Sequence, residues 1–261
     1  MKVTLQAVAV RAPGLDGWEA ARSILAGRQG WRPTPPNIPA CGLLKPNERR
    51  RLTPTLKLAL ALAEEATAEL SDDARGALPS VFASALGDST IIDAICTALT
   101  LPERPISPTR FHNSVHNAAA GYWAMATGNR EPSNSMAAGE WTAGAGLLEA
   151  LSQVEALGRP VLFVLYDILP PEALGPLAGI HQPFGMALRL APAGEAGLCE
   201  LEAGVGEAME TRLDTPWESL RMAAPAARHL ALLHAVATGR PMVVLPLNRE
   251  QNLEVALNHV D

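Results

Sequence analysis

The chain has 261 residues, of which 48% are hydrophobic and 18% are charged, a composition typical of a globular protein with a sizeable core. Its formal net charge of -6 argues against nucleic acid as the main partner, because phosphate binding requires a basic surface. Its three cysteines, Cys41, Cys96 and Cys199, lie far apart in the sequence, which argues against a disulfide framework or a zinc site.

The apolar runs of the sequence are short. The first residues lack the sustained apolar stretch of a signal peptide. The longest apolar run, residues 161–169, is interrupted by Asp167 and is far shorter than a membrane span. We therefore expect a cytoplasmic protein with no membrane span.

Strand and helix patterns alternate along the chain, which predicts an α/β fold. Apolar alternation or short apolar runs predict strands at residues 3–10, 80–86, 133–138, 160–169, 184–190, 198–202 and 242–247. Helices are predicted at residues 15–25, 54–70, 90–99, 113–127, 141–157 and 216–238. The second of these helices has the clearest start, with Thr53 as a capping residue and Pro54 at the first helical position.

Residues 27–47 are rich in proline, and we expect them to form a surface excursion or a partner arm without regular structure. Directly after them, Arg49, Arg50 and Arg51 form a dense basic cluster with Lys45 in an otherwise acidic chain. This cluster is either a solvated loop end or a docking patch for an acidic protein or a phosphate-bearing arm.

His112 and His116 are four residues apart, so on a helix they would share one face and could bind a metal through neutral imidazoles. The sequence offers no obvious third ligand, and Asn113 stands where a zincin motif has glutamate. We therefore expect these histidines to pack or to line a polar pocket, with no metal site.

Gly144 and Gly146 follow a predicted strand, as the first glycines of a dinucleotide-binding motif do. Glu149 occupies the place of the third glycine, and no ribose-binding acid follows a second strand. Close packing of the helix explains these glycines better than a cofactor does.

Residues 132–144 predict a strand of small residues that turns abruptly into a helix. Such an elbow presents one side chain at the helix N-terminus, where unpaired N–H groups and the helix dipole stabilise an anion. A cysteine at this point would be activated as a thiolate, but the residue here is Glu140.

Three segments carry a resemblance to one family. Residues 48–52 and the helix after them are similar to the basic turn and helix near the start of β-ketoacyl synthases. Residues 117–121 resemble the start of that family's interface helix, and residues 132–144 resemble the elbow of its nucleophilic cysteine, with Glu140 at the cysteine position. The resemblance covers residues 1–190 and implies a thiolase-like α/β half-fold, with a mixed five-stranded sheet and helices on its faces. Residues 191–261 would be a C-terminal extension packed on the same domain.

The chain departs from that family at the residues of catalysis. A ketosynthase needs a cysteine to receive the acyl chain and two histidines from its second half, and glutamate cannot form the thioester. The family's histidine motifs are missing, and His229, His234 and His259 do not match them. The resemblance therefore implies a chain that is inactive alone.

Within this family, the sequence looks most like the short chain-length-factor subunits of type II ketosynthases, notably those of aryl polyene pathways. That resemblance implies a heterodimer with an active β-ketoacyl synthase in fatty acid or polyketide biosynthesis, in which this subunit closes the acyl tunnel. Acyl groups would be carried on the phosphopantetheine of an acyl carrier protein, with no other cofactor. The interface and tunnel candidates are Phe111, His112, His116, Asn117, Tyr122, Trp123 and Trp141. The carrier-protein docking candidates are Arg49, Arg50 and Arg51.

Two other functions stay open at this point. The chain could be a stand-alone decarboxylase or thioester hydrolase that uses Glu140 with His112 or His116, which requires a pocket that joins them. It could instead be a module that binds acyl carrier protein through Arg49–Arg51. Glu140 itself could stabilise the elbow, hydrogen-bond across an interface, or mimic a bound carboxylate.

Overall fold

Nine strands and a series of helices are defined by the computed structural model, which describes residues 1–175 and 179–259. The strands are β1 Lys2–Ala12, β2 Leu15–Asp16, β3 Ser80–Ala83, β4 Ser133–Met136, β5 Val161–Asp167, β6 Phe184–Pro192, β7 Cys199–Gly206, β8 Met242–Pro246 and β9 Asn252–His259. The helices are α1 Trp18–Leu25, α2 Pro46–Arg49, α3 Pro54–Ala66, α4 Asp72–Gly76, α5 Ser89–Leu99, α6 Pro108–Asn113, α7 Ala118–Thr127, α8 Thr142–Leu157, α9 Trp217–Arg221 and α10 Leu230–Thr238. Short 3₁₀ turns lie at Gly139–Trp141 and Ala226–His229.

The strands form one mixed sheet in the order β4-β3-β5-β6-β1-β7-β9-β8, with β2 paired to β1. β4, β3 and β5 are parallel, and the other neighbours are antiparallel. The first five strands in this order are the mixed five-stranded sheet predicted for the N-terminal part. The C-terminal segment continues that sheet through β7, β9 and β8, so the sheet has nine strands rather than five. β9 is missing from the predicted elements.

Helices cover both faces of the sheet because its central strands are buried on both sides. Every residue of β5 is buried, and so are the first eight residues of β6. α3 and α7 pack on one face, whereas α1, α8 and α10 pack on the other. β4 lies at the edge, with α7 beside it, and it leads into α8 through the elbow. The elbow and α7 are therefore at the same edge of the sheet.

α3 starts as its sequence predicts and ends earlier. The hydroxyl of Thr53 accepts a hydrogen bond from the Leu56 N–H at 3.2 Å, and Pro54 is the first helical residue. The helix stops at Ala66, because the Arg75 guanidinium donates to the carbonyls of Thr67 and Leu70 at 3.2 and 3.1 Å. These bonds satisfy carbonyls that a longer helix would have used itself.

The predicted helix over residues 113–127 is wrong at its start. α6 ends at Asn113, where the Ser114 hydroxyl donates to the Phe111 carbonyl at 2.8 Å and competes with the helical pattern. His112 therefore lies in α6, whereas His116 lies in the turn before α7. The two histidines therefore do not share one helix, and the condition for a common helix face is not met.

Two other helical expectations also need correction. The pattern at residues 216–238 divides into α9, a 3₁₀ turn and α10, because Pro225 has no N–H to continue a helix. The pattern at residues 15–25 contains β2 and becomes helical only at Trp18, after Gly17 with a φ of 91°. Within residues 1–175 and 179–259, no helix is long and apolar enough to cross a membrane.

Candidate functional site

The elbow between β4 and α8 is built by local hydrogen bonds that leave Glu140 free. Gly139 adopts a φ of 56°, a left-handed conformation that favours glycine. The Thr142 hydroxyl accepts from the Ala138 N–H at 2.9 Å and donates to the Gly139 carbonyl at 2.7 Å. Thr142 therefore stabilises the turn, and the exposed carboxylate of Glu140 takes no part in it.

Close packing fixes the first turns of α8 behind the elbow. A Cβ on Gly144 would lie 2.2 Å from the carbonyl oxygen of Pro246, the last residue of β8. A Cβ on Gly146 would lie 2.8 Å from the Phe163 ring. The prediction that these glycines serve helix packing is confirmed.

Glu140 and Arg228 line two neighbouring cavities of about 420 and 360 Å³. The first cavity also contains Leu86 and His181, and the second contains Trp141. Neither cavity includes His112 or His116 among its lining residues, so the pocket required for an enzyme that uses Glu140 with one of these two histidines is not formed there.

Arg228 belongs to an ion network that borders both cavities. Its guanidinium lies 3.1 Å from a carboxylate oxygen of Glu210, which also pairs with the buried Arg221. Arg221 is paired in turn with Glu218 at 2.8 Å, and this partner is the main reason that the pKa of Glu218 falls to about 2. The cations of this network are therefore already partly neutralised.

Asp167 fixes the wall of the first cavity from beneath. Its carboxylate accepts from the Ser84 hydroxyl at 3.0 Å and from the backbone N–H groups of Ala85 and Ala226 at 2.9 and 3.0 Å. Burial raises the pKa of Asp167 to about 6, although these three donors act in the opposite direction. Asp167 thus joins the end of β3 to the 3₁₀ turn before α10.

His229 joins the same 3₁₀ turn to the start of α8. Its Nε2 lies 2.8 Å from the Ala143 carbonyl, and since a carbonyl only accepts, Nε2 carries the proton. The ring is fully buried, and burial lowers the pKa of His229 to about 4. This histidine therefore acts as a neutral support beneath the elbow.

A groove of about 550 Å³ lies between α6 and α7, at the same edge of the sheet. One stripe of α7 forms its floor, and α6 with the following turn forms its wall. The residues that line it are Phe111, His112, Val115, Asn117, Ala118, Gly121, Tyr122 and Met125. Phe111, Val115 and Met125 are 67, 52 and 55% exposed, a large apolar surface for side chains open to water.

The other interface and tunnel candidates lie outside this groove. Trp123 is 1% exposed and packs in the core on the opposite face of α7. Trp141 is half-buried at the elbow. The Nε2 atom of His116 donates to the Met136 carbonyl at 3.0 Å, and the ring packs against Gly87. The structure therefore brings together Phe111, His112, Asn117 and Tyr122, and it separates them from the other three.

The basic cluster is connected to this groove by Asn113, which is 2% exposed. The Asn113 amide donates to the Arg51 carbonyl at 3.1 Å and accepts from the Tyr122 hydroxyl at 3.1 Å. Arg51 pairs with Glu48 at 3.4 Å, whereas Arg49 and Arg50 form no ion pair with any residue in 1–175 or 179–259. The guanidinium groups of Arg49 and Arg50 are thus available to an acidic partner as far as the described residues are concerned.

Sequence reasoning missed three of these residues. Asp167 carries a signal, because it is an ionisable residue at the end of the most apolar strand. Asn113 and His229 carry none, because their hydrogen-bond partners are backbone or side-chain atoms brought near by the fold.

Comparison with known proteins identifies the family. The chain matches the model of the β-ketoacyl synthase N-terminal domain over residues 24–252, and it belongs to that family. A search of curated proteins gave no match.

Solved structures show the same fold. The chain resembles a ketosynthase (ApeO) in complex with its chain length factor (ApeC) from Xenorhabdus doucetiae, with 23% identity and a TM-score of 0.75 over 98% of this chain and 99% of that chain. The ishigamide ketosynthase/chain length factor has 13% identity and a TM-score of 0.72, with both chains fully covered.

A third structure contains a carrier protein. It is a type II polyketide synthase acyl carrier protein in complex with its ketosynthase (AntDE:AntF), with 11% identity and a TM-score of 0.74 over 99% of each chain. These likenesses confirm the predicted thiolase-like half-fold.

Proposed function

We propose that this chain is a chain-length-factor-like subunit that pairs with an active ketosynthase in type II fatty acid or polyketide biosynthesis, of the aryl polyene kind. The observation that carries the proposal is the apolar groove on α6 and α7. It lies on the helix that the sequence resemblance assigns to the subunit interface, and its largest side chains are open to water. A ketosynthase surface that fills it would remove this apolar area from water.

The free edge of β4 supports the same contact. β4 is the outermost strand of the sheet and lies beside α7. An edge strand presents backbone N–H and C=O groups that a second strand can pair with. A partner that pairs with β4 would at the same time cover the groove, so strand and helix form one interface.

The elbow explains why the partner must supply the chemistry. Glu140 stands at the position that the resemblance gives to the nucleophile, and a carboxylate does not form the acyl thioester. Cys41 and Cys199 are buried, and burial raises the pKa of each thiol to about 11. Cys96 lies on α5, away from the elbow. The subunit would therefore be inactive alone, with no cofactor of its own.

The basic cluster would receive the acyl carrier protein, which brings the acyl chain on its phosphopantetheine. Arg49 and Arg50 have no ion pair within the described residues, and Arg51 is tied to the groove through Asn113. A carrier bound there would be next to the groove lined by Phe111, His112 and Tyr122, which together with the ketosynthase surface would form the wall of the acyl tunnel. Charge reversal of the three arginines should weaken carrier binding and reduce its salt dependence.

Gly121 offers the sharpest test of the groove. A Cβ at this position meets no atom of the described residues within 4 Å, so this part of the chain leaves room for a large side chain. Gly121→Trp would fill the groove and exclude the ketosynthase. The chain is co-expressed with the ketosynthase encoded nearest to it, and the complex is measured by size exclusion with mass determination. We expect a one-to-one complex for the wild type and an affinity lower by on the order of 100-fold for the variant.

Ala156→Trp is the matched control, because Ala156 is an exposed helical residue on α8, outside the groove. This control should bind as the wild type does. Equal affinity for Gly121→Trp and Ala156→Trp would contradict the groove as the interface, and a wild-type chain with no affinity for any ketosynthase would contradict the function itself.

A further inference from the structure

A cavity of about 260 Å³ lies where the start of α1 and the end of α3 meet β1 and β6. It is at the opposite end of α3 from the basic cluster, on the order of 20 Å away along this 13-residue helix. Its volume is close to the lower limit of small-molecule sites, so it suits a ligand of amino-acid size. The proposed contact with a ketosynthase does not use this cavity.

The inner wall of the cavity contains Arg189 of β6, whose side chain is 9% exposed. A guanidinium group has five N–H donors. The Arg189 Nε donates to Gln6 Oε1 at 3.1 Å, and Nη1 donates to the Ala66 carbonyl at 3.4 Å. Nη2 forms no hydrogen bond within residues 1–175 and 179–259, and the Glu69 carboxylate paired with it is 3.9 Å away, beyond hydrogen-bond distance. Because unused donors on a buried cation are costly, this group favours an acceptor in the cavity.

A β-bulge in β1 fixes the position of this guanidinium. The register between β1 and β6 shifts between Leu5 and Ala7, which leaves Gln6 outside the pairing with β6. The Gln6 side chain accepts from Arg189 and donates to Glu195 Oε2 at 3.0 Å. Contacts within the chain therefore hold Arg189 in place before any ligand binds, which reduces the ordering that binding requires.

Two exposed carboxylates lie at the mouth of the same cavity. Glu19 is in the first turn of α1, and Glu69 follows α3 with a side chain that is 88% exposed. A third carboxylate, that of Glu65, is already engaged, because it accepts from the Trp18 N–H at 3.3 Å and pairs with Arg11 at 2.5 Å. The lining therefore combines one deep cation with two outer carboxylates.

The charges of this lining match a ligand that carries both signs. A ligand with only a carboxylate would be repelled by Glu19 and Glu69, and a ligand with only an ammonium group would leave the donors of Arg189 unused. We propose that the cavity binds a small aliphatic α-amino acid, with its carboxylate on Arg189 and its ammonium group on Glu19 and Glu69. The 3.9 Å between Arg189 Nη2 and the Glu69 oxygen suits this class, because its two charged groups are attached to the same carbon. Val8 and Leu198 provide apolar contacts for its side chain.

Three probes of similar shape test the need for both charges. L-valine carries both, whereas 3-methylbutanoate lacks its ammonium group and 2-methylpropylamine lacks its carboxylate. Saturation-transfer NMR titrations on the full chain measure the affinity of each probe. We expect saturable binding of L-valine with a Kd on the order of 1 mM, and binding of each of the other two that is weaker by about tenfold or more, because each loses one charge-assisted contact.

Variants of the lining test where the probes bind. Glu69→Gln should weaken L-valine by on the order of tenfold and strengthen 3-methylbutanoate, because it removes both an ammonium contact and a repulsion. Arg189→Gln should abolish the binding of both, and circular dichroism checks that this buried variant is folded. The Glu69 side chain is exposed, so its variant remains informative if the Arg189 variant does not fold. Glu155→Gln is the matched control, an exposed carboxylate on α8 outside the cavity, and it should leave all three affinities unchanged.

The opposite effects of Glu69→Gln on L-valine and 3-methylbutanoate would support the inference. Absence of saturable binding by L-alanine, L-valine and L-leucine would overturn it. Equal affinity of the wild type for L-valine and 3-methylbutanoate would also overturn it, since the site would then recognise a carboxylate alone. Binding that neither Glu69→Gln nor folded Arg189→Gln changes would place the ligand elsewhere, with the same consequence. None of these measurements involves a ketosynthase, so the inference and the proposed function are tested separately.

Discussion

The two edges of the sheet differ in how far the chain buries their apolar residues. At the β8 edge, seven of the nine residues of α10 are buried, and Thr211 covers the strand by exchanging hydrogen bonds of 2.9 and 2.8 Å with Val244. At the β4 edge, α5 buries three of its eleven residues, and β4 has no outer neighbour among residues 1–175 and 179–259. The β8 edge is covered by other residues of the chain, whereas the β4 edge is exposed. This difference indicates that a partner covers the β4 edge.

Two helical glycines, Gly144 and Gly121, show the same difference in packing. Gly144, on the first turn of α8, packs against the Pro246 backbone at the end of β8, whereas no atom of residues 1–175 and 179–259 lies within 4 Å of a Cβ built on Gly121 of α7. Substitution by alanine should therefore lower the free energy of unfolding at Gly144 and raise it at Gly121. The two changes together measure how closely each helix is packed by the rest of the chain.

The largest effect is expected from Gly144→Ala. The new Cβ would lie 2.2 Å from the Pro246 carbonyl oxygen, a backbone atom that cannot move without shifting the strand. We expect a loss of about 3 kcal/mol or more in the free energy of unfolding, measured by urea denaturation. A loss below about 1 kcal/mol would show that the end of β8 shifts easily, and the β8 edge would then be less rigid than its packing indicates.

A second prediction concerns the pH dependence of the covered region. The pKa of His229 falls from 6.5 to about 4 on folding, so the unfolded chain binds the proton first and the free energy of unfolding decreases as the pH falls from 6.5 to 4. The pKa of Asp167 rises from 3.8 to about 6 on folding, so the folded chain binds the proton first. The free energy of unfolding therefore decreases as the pH rises from 4 to 6. Each contribution is on the order of 3 kcal/mol, and in the wild type the two oppose each other.

Single variants separate the two contributions. The free energy of unfolding of His229→Gln minus that of the wild type should increase as the pH falls from 6.5 to 4. The free energy of unfolding of Asp167→Asn minus that of the wild type should increase as the pH rises from 4 to 6. Denaturant curves of the three proteins across this range provide the measurement. Parallel curves for a variant and the wild type would mean that the altered group has the same pKa in the folded and unfolded states.

A smaller effect is expected at the open edge from Tyr122→Phe. The variant removes the hydroxyl that donates to Asn113 and leaves a buried acceptor unsatisfied, which should cost about 1 to 2 kcal/mol. Tyr166→Phe is the control, because the Tyr166 hydroxyl forms no hydrogen bond within residues 1–175 and 179–259. The link to Arg51 predicts that Tyr122→Phe also weakens carrier-protein binding several-fold. Unchanged carrier binding would show that the groove and the basic cluster act independently.

The sequence predicts the covered parts of the fold better than the open edge. The apolar run of β5 and the capped start of α3 are local signals, and the structure contains both. The break between α6 and α7 is decided by one hydroxyl of Ser114, and the apolar periodicity continues across it. Ile92 and Leu99 of α5 have the spacing of one helix face, but a face that meets a partner and a face that meets the core have the same pattern.

The residues of the candidate site also fall into those that a local sequence pattern predicts and those that it does not. The small residues before Glu140 predict an elbow, because an abrupt strand-to-helix turn requires them there. The supports beneath it, Asp167 and His229, bind backbone atoms from segments about 60 to 90 positions away in the chain. Contacts of this range depend on the complete topology and leave no local pattern.

The smallest effect is expected from Gly121→Ala. Alanine favours a helix more than glycine does, and nothing lies within 4 Å of the added Cβ, so the isolated chain should gain about 0.5 to 1 kcal/mol in its free energy of unfolding. Urea denaturation at low protein concentration measures this gain. A loss instead of a gain would mean that a neighbour already occupies the open side of α7 in solution. Since residues 1–175 and 179–259 place no atom within 4 Å of that Cβ, we would assign the neighbour to a second copy, and the groove would then be closed by self-association before a ketosynthase binds.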